Sequence, residues 1–454
     1  MSFKSMRRRL PALAALAMAV GLGACSDILT VDNPGALNDP DLNDPVLISS
    51  MVTAGVANFD NEFDDLVFAG AILGDEAVNG HNFEQWKRID LRLIEADNSI
   101  IHSDVYQPLQ AARFAADSLA GRITVIYGDT LNDNGRLQIA RLRAYGGYSF
   151  VMLGEYFCQA PVNLSAGLPS DSLLTRGIAD FDQAIALSKT VKANTKATAL
   201  QKASADSLIT LSMIGAARAY LQIGNKAKAI EYAQPVASGT TGFASGFTWW
   251  VTYSDNTSNP NDRLFAATTG SSRYLGVDAS FRNLTVAGVK DRRVKYNPKP
   301  GTGHNALTVL YTPYLAPSHS GFVAAADSQA FSNSTAIRLA STLEAQYIVA
   351  EAQGATPATL AFVNQRRAFG ANGAPGTDVT LTGDALMAEL RDQRRRDFYL
   401  DGHRLGDLRR YKAQYNVDQF PSGPHPNTEW GSYGTATCFV PTIAEQIGNP
   451  NYTP

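Results

Sequence analysis

Apolar residues recur at helical spacing over 46–71, and Asp44-Pro45 just before them has the form of an N-cap followed by a first-turn proline. That spacing predicts a long helix. Gly74, Asp75, Glu76 and Gly80 then interrupt it, which places a loop before a further helix over 103–119. The run 140–162, ARLRAYGGYSFVMLGEYFCQAPV, reads as an aromatic-rich amphipathic helix closed by Pro161. In 208–237 two helical stretches meet at Gly224-Asn225, with the small and aromatic residues Ala217, Tyr220, Ala229 and Ala233 where paired helices approach. Partial helix pairs are expected at 140–187, 336–369 and 384–411. The last begins with a helix over 384–400 that carries Leu386, Leu390 and Phe398 on one face and stops at Gly402.

Between 238 and 334 the helical period disappears; Gly, Ser, Thr, Asn and Pro dominate, and short β-like runs such as 308–314 are isolated. So long an irregular stretch inside a helical chain points to a binding role. The expected fold class is mainly α, with irregular tetratricopeptide-like helix pairs packed against a loop-rich region with minor β. Insertions break the period, which argues against a regular solenoid.

The N-terminus bears on compartment. Lys4, Arg7, Arg8 and Arg9 precede a short apolar run over 10–22, and Leu22-Gly23-Ala24-Cys25 has the form of a lipoprotein signal-peptidase site. The run is too short to span a bilayer. Cleavage would leave Cys25 as an acylated N-terminus, and several acyl chains hold a protein on a membrane effectively permanently. The alternative is an ordinary secretory signal with an incidental cysteine. The polar start, Ser26 and Asp27, is compatible with outer-membrane sorting. Two other cysteines, Cys158 and Cys438, either bridge in an oxidising compartment or serve as separate buried hydrophobes; a Cα separation above about 7 Å excludes the bridge.

A net charge of -3 argues against nucleic acid as a partner. Seven arginines nevertheless lie between Arg391 and Arg410. They form either a solvated basic face with acid partners such as Asp397 and Asp401, or a set that organises fold and interface. The six histidines are scattered without metal-ligand spacing, and no nucleophile elbow, phosphate loop or dinucleotide fingerprint is present. Asp75-Glu76 are adjacent rather than opposed, a poor arrangement for a glycosidase pair. Thr130, Asn132, Asn134 and Gly135 lack the acidic ligands of a calcium loop and read as a turn. No catalytic residue, metal or cofactor is expected.

Several of these segments carry spaced motifs. Gln393, Arg394, Asp397, Phe398, Asp401, Gly402, Arg404, Asp407, Leu408 and Arg410 resemble the late ER..EL..EG.R..DL.R pattern of the SusD/RagB family, with Gln393, Asp397 and Asp401 standing where the family usually has glutamate. Arg143, Ala144, Tyr148, Leu153 and Pro161 resemble its RA..Y..L....G..P segment, and Arg338, Leu339, Ala350, Glu351 and Ala352 its R.ae..L..AEA helix. Asn364, Arg366, Arg367 and Ala368, then Pro441, Glu445, Asn449 and Pro450, match two further stretches. The resemblance implies a surface lipoprotein of the bacterial outer membrane. It also implies that the protein rests over a SusC-like TonB-dependent β-barrel transporter, captures a solute, often an oligosaccharide, and does no covalent chemistry.

On this reading 1–24 is the signal peptide, 25–44 a lipidated tether and 45–454 one body. Within that body helical repeats occupy 45–237 and 336–411, a ligand-side insertion 238–334, and a C-terminal segment 412–454. Sugar recognition needs aromatic faces beside polar groups. Trp249, Trp250, Tyr253 and Asn256 are the first candidates, and neighbouring tryptophans in extended chain point opposite ways, so one of the pair belongs to the core. Asn82, Phe83 and Trp86 are the second, since the family's early region lies near the ligand face. Two other functions remain open, a helix-repeat scaffold for outer-membrane assembly and a glycoside hydrolase.

Overall fold

A computed structural model describes residues 39–255, 263–269, 273–319 and 328–453. The expected signal segment, Cys25 and Asn256 lie outside the described residues. Residues 39–47 form two short 3-10 turns, Asp39–Asn43 and Pro45–Leu47, and Asp44 Oδ1 accepts the Val46 N–H at 2.9 Å. Asp44-Pro45 thus opens a 3-10 turn rather than the long helix itself.

From Ile48 the chain is mainly α. The first half carries α1 (Ile48–Leu73), α2 (Glu84–Asp90), α3 (Gln107–Tyr127), α4 (Asp133–Tyr156), α5 (Ser170–Ala193), α6 (Ala199–Gln222) and α7 (Lys226–Ala237). After α8 (Arg263–Thr268) come α9 (Thr342–Gln353), α10 (Pro357–Gly370), α11 (Gly383–Asp397), α12 (Arg404–Tyr415) and α13 (Ile443–Gly448). Local chemistry sets several of the boundaries. Asn132 caps α4, Thr198 and Gln201 form a capping box on α6, and Asn225 caps α7 just after Gly224, whose φ of +79° makes the turn.

Helix α4 starts earlier than the apolar run implies and ends at Tyr156 rather than at Pro161, because Phe157 turns extended and Gln159–Ala160 pairs with Leu168–Pro169. The loop expected at 74–80 contains a buried strand, Ala77–Asn79, antiparallel to Leu275–Val277. A larger correction falls at 336–341. Ile337–Ser341 is not helical but a fully buried strand antiparallel to Thr248–Val251, and the helix begins only where Ser341 accepts the Glu344 N–H at 3.2 Å.

Helix α4 packs on α3, α5 and α6, and α7 on α6 and α9. Small residues permit this closeness. The Phe181 ring of α5 lies between Gly147 of α4 and Gly215 of α6, and a Cβ on Gly147 would sit 2.6 Å from that ring. The core continues through Phe59, Phe63, Tyr145, Tyr148 and Tyr156, all nearly inaccessible.

None of the seven arginines in 391–410 is exposed, three being buried and four partly buried, which overturns the solvated-face alternative. Arg394, Arg404 and Arg410 are each at most 3% exposed. Arg410 reaches Glu351 through two bonds of 2.8 and 2.9 Å and Asp407 at 2.7 Å, while the other Asp407 oxygen accepts from Arg394 at 2.7 Å. Arg404 pairs with Asp75 through two 2.6 Å bonds, and Arg338, on the strand, with Asp401 at 2.7 Å. Asp397 accepts two 2.8 Å bonds from Arg366 and lies 3.3 Å from Arg293, whose other nitrogen donates to Gln393 at 2.7 Å. The uncharged Gln393 therefore still serves as an acceptor. Burial alone would raise the Asp397 carboxyl, yet the Arg366 and Arg293 guanidiniums hold it down at about 2. Gly402 closes the turn between α11 and α12 at φ +83°, and its carbonyl accepts from Arg218 at 3.0 Å.

Cys158 and Cys438 form a disulfide, with Cα atoms 5.3 Å apart. Two backbone bonds run beside it, Cys158 N–H to Phe439 O at 2.9 Å and Phe439 N–H to Tyr156 O at 2.8 Å. The C-terminal segment is thereby fastened to the end of α4.

Candidate ligand-binding cleft

Four distant segments enclose a cleft of about 450 Å3 in the loop-rich part. Val78 and Val277 come from the buried strand pair, and Val277 N–H donates to Tyr311 O at 2.8 Å, which brings the third segment alongside. That segment is a hairpin, Gly301–Thr302 against Val309–Leu310. Its tip is built by Asn305, whose Oδ1 accepts from Leu307 and Thr308 N–H at 3.0 and 2.9 Å and whose Nδ2 donates to Thr308 Oγ1 at 2.8 Å. So held, Leu307 and Val309 stay 51% and 61% exposed at the rim.

The fourth wall, 425–429, hangs on a buried histidine. His425 Nε2 is 3.3 Å from Asp90 Oδ1, the other Asp90 oxygen accepts the Asn79 N–H at 2.8 Å, and His425 Nδ1 accepts the Asn427 N–H at 3.0 Å. Trp430 stacks on the His425 ring at 4.8 Å, with Tyr433 at 4.9 Å. These contacts fix the wall to the strand that supplies Val78. Burial raises the Asp90 carboxyl, and the His425 bond opposes that rise.

Inside the cleft the Arg282 guanidinium lies 4.2 Å from the Tyr311 ring centre, a cation–π arrangement. Arg282 Nε and Asn427 Nδ2 belong to lining residues but are themselves buried, without an acceptor in the protein. Glu429 and Thr428 are exposed on the same wall. An aromatic face, apolar walls, an exposed hydroxyl and a carboxylate acceptor are what a polyhydroxylated ring requires.

An aromatic patch adjoins this hairpin. His81 packs against Phe83 at 4.2 Å, Tyr274 at 4.8 Å and His304 at 5.8 Å, and Asn305 N–H donates to Gly80 O at 3.0 Å. Partial burial and the neighbouring His304 lower the His81 pKa. Phe83 is 51% exposed here and Asn82 is exposed beside it. Trp86, expected with them, is instead a core residue, 1% exposed, its ring edge-on to Phe68 at 4.7 Å.

The other candidates stand elsewhere. Trp249 and Trp250 lie on the Thr248–Val251 strand, Trp250 opposite Arg338 and partly exposed, Trp249 packed on the core with its indole N–H donated to Tyr145 Oη at 3.2 Å. Tyr253 is 7% exposed and joins the same core. None of the three lines the cleft. Arg282, Tyr311, His425 and Asn427 were not singled out from sequence; the β-like run 308–314 was the available signal.

A helical body of irregular pairs, bound by buried arginine–carboxylate links to a loop-rich part that carries a cleft, defines a class. The chain is SusD-like in fold. Solved structures show this directly: a SusD superfamily protein from Bacteroides vulgatus matches at 14% identity and TM-score 0.64 over 90% of this chain and 99% of that one. Another from Bacteroides fragilis matches at 13% and 0.61 over 90% and 99%. Surface glycan-binding protein A from Bacteroides uniformis matches at 14% and 0.60 over 89% and 98%. No protein-family model matches the sequence, and no curated protein does. Among the described residues, no helix is long and apolar enough to cross a membrane.

Proposed function

We propose that this protein is a cell-surface receptor that captures an oligosaccharide in the Tyr311–Arg282 cleft and passes it, without covalent chemistry, to a SusC-like TonB-dependent transporter. The observation that carries the reading is the cleft in which the partly exposed Tyr311 ring stands with Arg282 opposite the exposed Thr428 and Glu429. An aromatic ring beside groups able to meet hydroxyls suits a sugar. The fold supports it, as does the name of the Bacteroides uniformis neighbour, a surface glycan-binding protein. Acylation at Cys25 would hold the receptor at the outer membrane.

Screening the protein on a glycan array, then titrating the best glycan calorimetrically, tests the proposal. Tyr311→Ala should weaken binding by about 1–3 kcal/mol, the usual range for an aromatic anchor. The glycan should be recovered uncleaved; released reducing ends would favour the hydrolase reading. Cys25→Ala should free the protein from membranes, and purification from native outer membranes should bring a β-barrel with it. Unchanged affinity in Tyr311→Ala would remove the cleft from the account.

A further inference from the structure

Trp249 lines a second cleft, also of about 450 Å3, that shares no residue with the first. It opens between the first turns of α1, the start of α4 and the first half of α6. Val52, Leu137, Leu208 and the indole give it apolar walls, and Gln138 and Arg141 give it polar ones. Because the indole N–H already donates to Tyr145 Oη at 3.2 Å, Trp249 offers a ligand apolar surface only. Arg141 differs from most arginines of this chain. It is exposed, and its guanidinium hydrogen-bonds the Tyr145 side chain rather than a carboxylate. Asp60 feels its charge from farther away, but burial raises that acid to about 7 and so weakens it as a counter-charge. One cation at the edge of an apolar slot calls for one anion on a ring.

We propose that this cleft is a separate binding site for a small ring compound bearing a single carboxylate, with the ring against Trp249 and Leu208 and the carboxylate on Arg141. A carboxylate would gain a charge-assisted contact from Arg141 that a neutral hydroxyl would not, so the site favours a different solute from the first cleft. An acidic sugar and an aromatic acid share the required chemistry.

The test titrates the full chain in detergent with D-glucuronate and benzoate, and with D-glucose and benzamide as neutral counterparts. At least one acid should bind at least about 10-fold tighter than its counterpart, the scale of one charge-assisted contact. Which acid does so identifies the source. Arg141→Gln, at an exposed position, should weaken that acid by about 10-fold while its neutral counterpart is unaffected, and Ser207→Trp should block the slot. Tyr311→Ala should leave acid binding intact, which separates this site from the glycan cleft. The proposal is overturned if neither acid outbinds its counterpart, if Arg141→Gln has no effect, or if Tyr311→Ala abolishes acid binding.

Discussion

Replacing Asp397 by asparagine keeps the side chain's shape and removes the charge that Arg366 and Arg293 share. In the folded protein that carboxyl sits at about 2 against an ordinary 3.8, a gap worth about 2.5 kcal/mol at roughly 1.36 kcal/mol per pH unit. The substitution also leaves the buried Arg293 and the partly buried Arg366 short of counter-charge, and breaking a buried pair from one side typically costs about 3–5 kcal/mol. The introduced amide is still able to accept one bond, so the expected loss for Asp397→Asn is about 3 kcal/mol at pH 7. Because the folded-state value is lowered, the carboxylate's contribution is fully present above the unfolded value near 4 and disappears as pH falls through about 2. Guanidinium unfolding of both proteins at pH 7, 4 and 2 measures the difference. It should persist to pH 4 and shrink at pH 2. A loss under about 0.5 kcal/mol at pH 7, or one that does not change with pH, would refute the idea that these charges hold α11 in place.

Three further outcomes follow from the packing. Asp60 is raised to about 7, so its penalty is absent below about pH 4 and grows as pH rises to 7; Asp60→Asn should therefore stabilise the protein by on the order of 2–4 kcal/mol at pH 8 and by little at pH 3.5, read from denaturant midpoints. The disulfide closes a separation of 280 residues, and Cys158→Ser with Cys438→Ser should lower stability by about 2–5 kcal/mol, with early proteolysis of the C-terminal segment. Gly402→Ala, at φ +83° with Val67 3.2 Å from the new Cβ, should lower stability by about 1–2 kcal/mol and shift the melting temperature down.

The helices were legible because each buries one face, so the 3.6-residue period survives in the sequence. Ile337–Ser341 was not, because Ile-Arg-Leu-Ala-Ser fits a helix as well as a strand, and its partner strand is remote in the chain. Ser341 as an N-cap was the one local sign. The motif arginines were visible, but their burial was not: a charge run reads the same whether its acids are neighbours or, like Asp75 and Glu351, far away. The cleft was hidden for the same reason, since Val78, Val277, Tyr311 and Asn427 meet only in space. Two adjacent tryptophans attracted attention by composition, whereas a single tyrosine under an arginine gives no such signal.

Hydrogen–deuterium exchange of the protein, with and without its array-selected glycan, tests the central claim most directly. The account predicts new protection confined to 307–311 and 425–429, the two walls around Tyr311. Protection at 248–251 instead, with those walls unchanged, would contradict it.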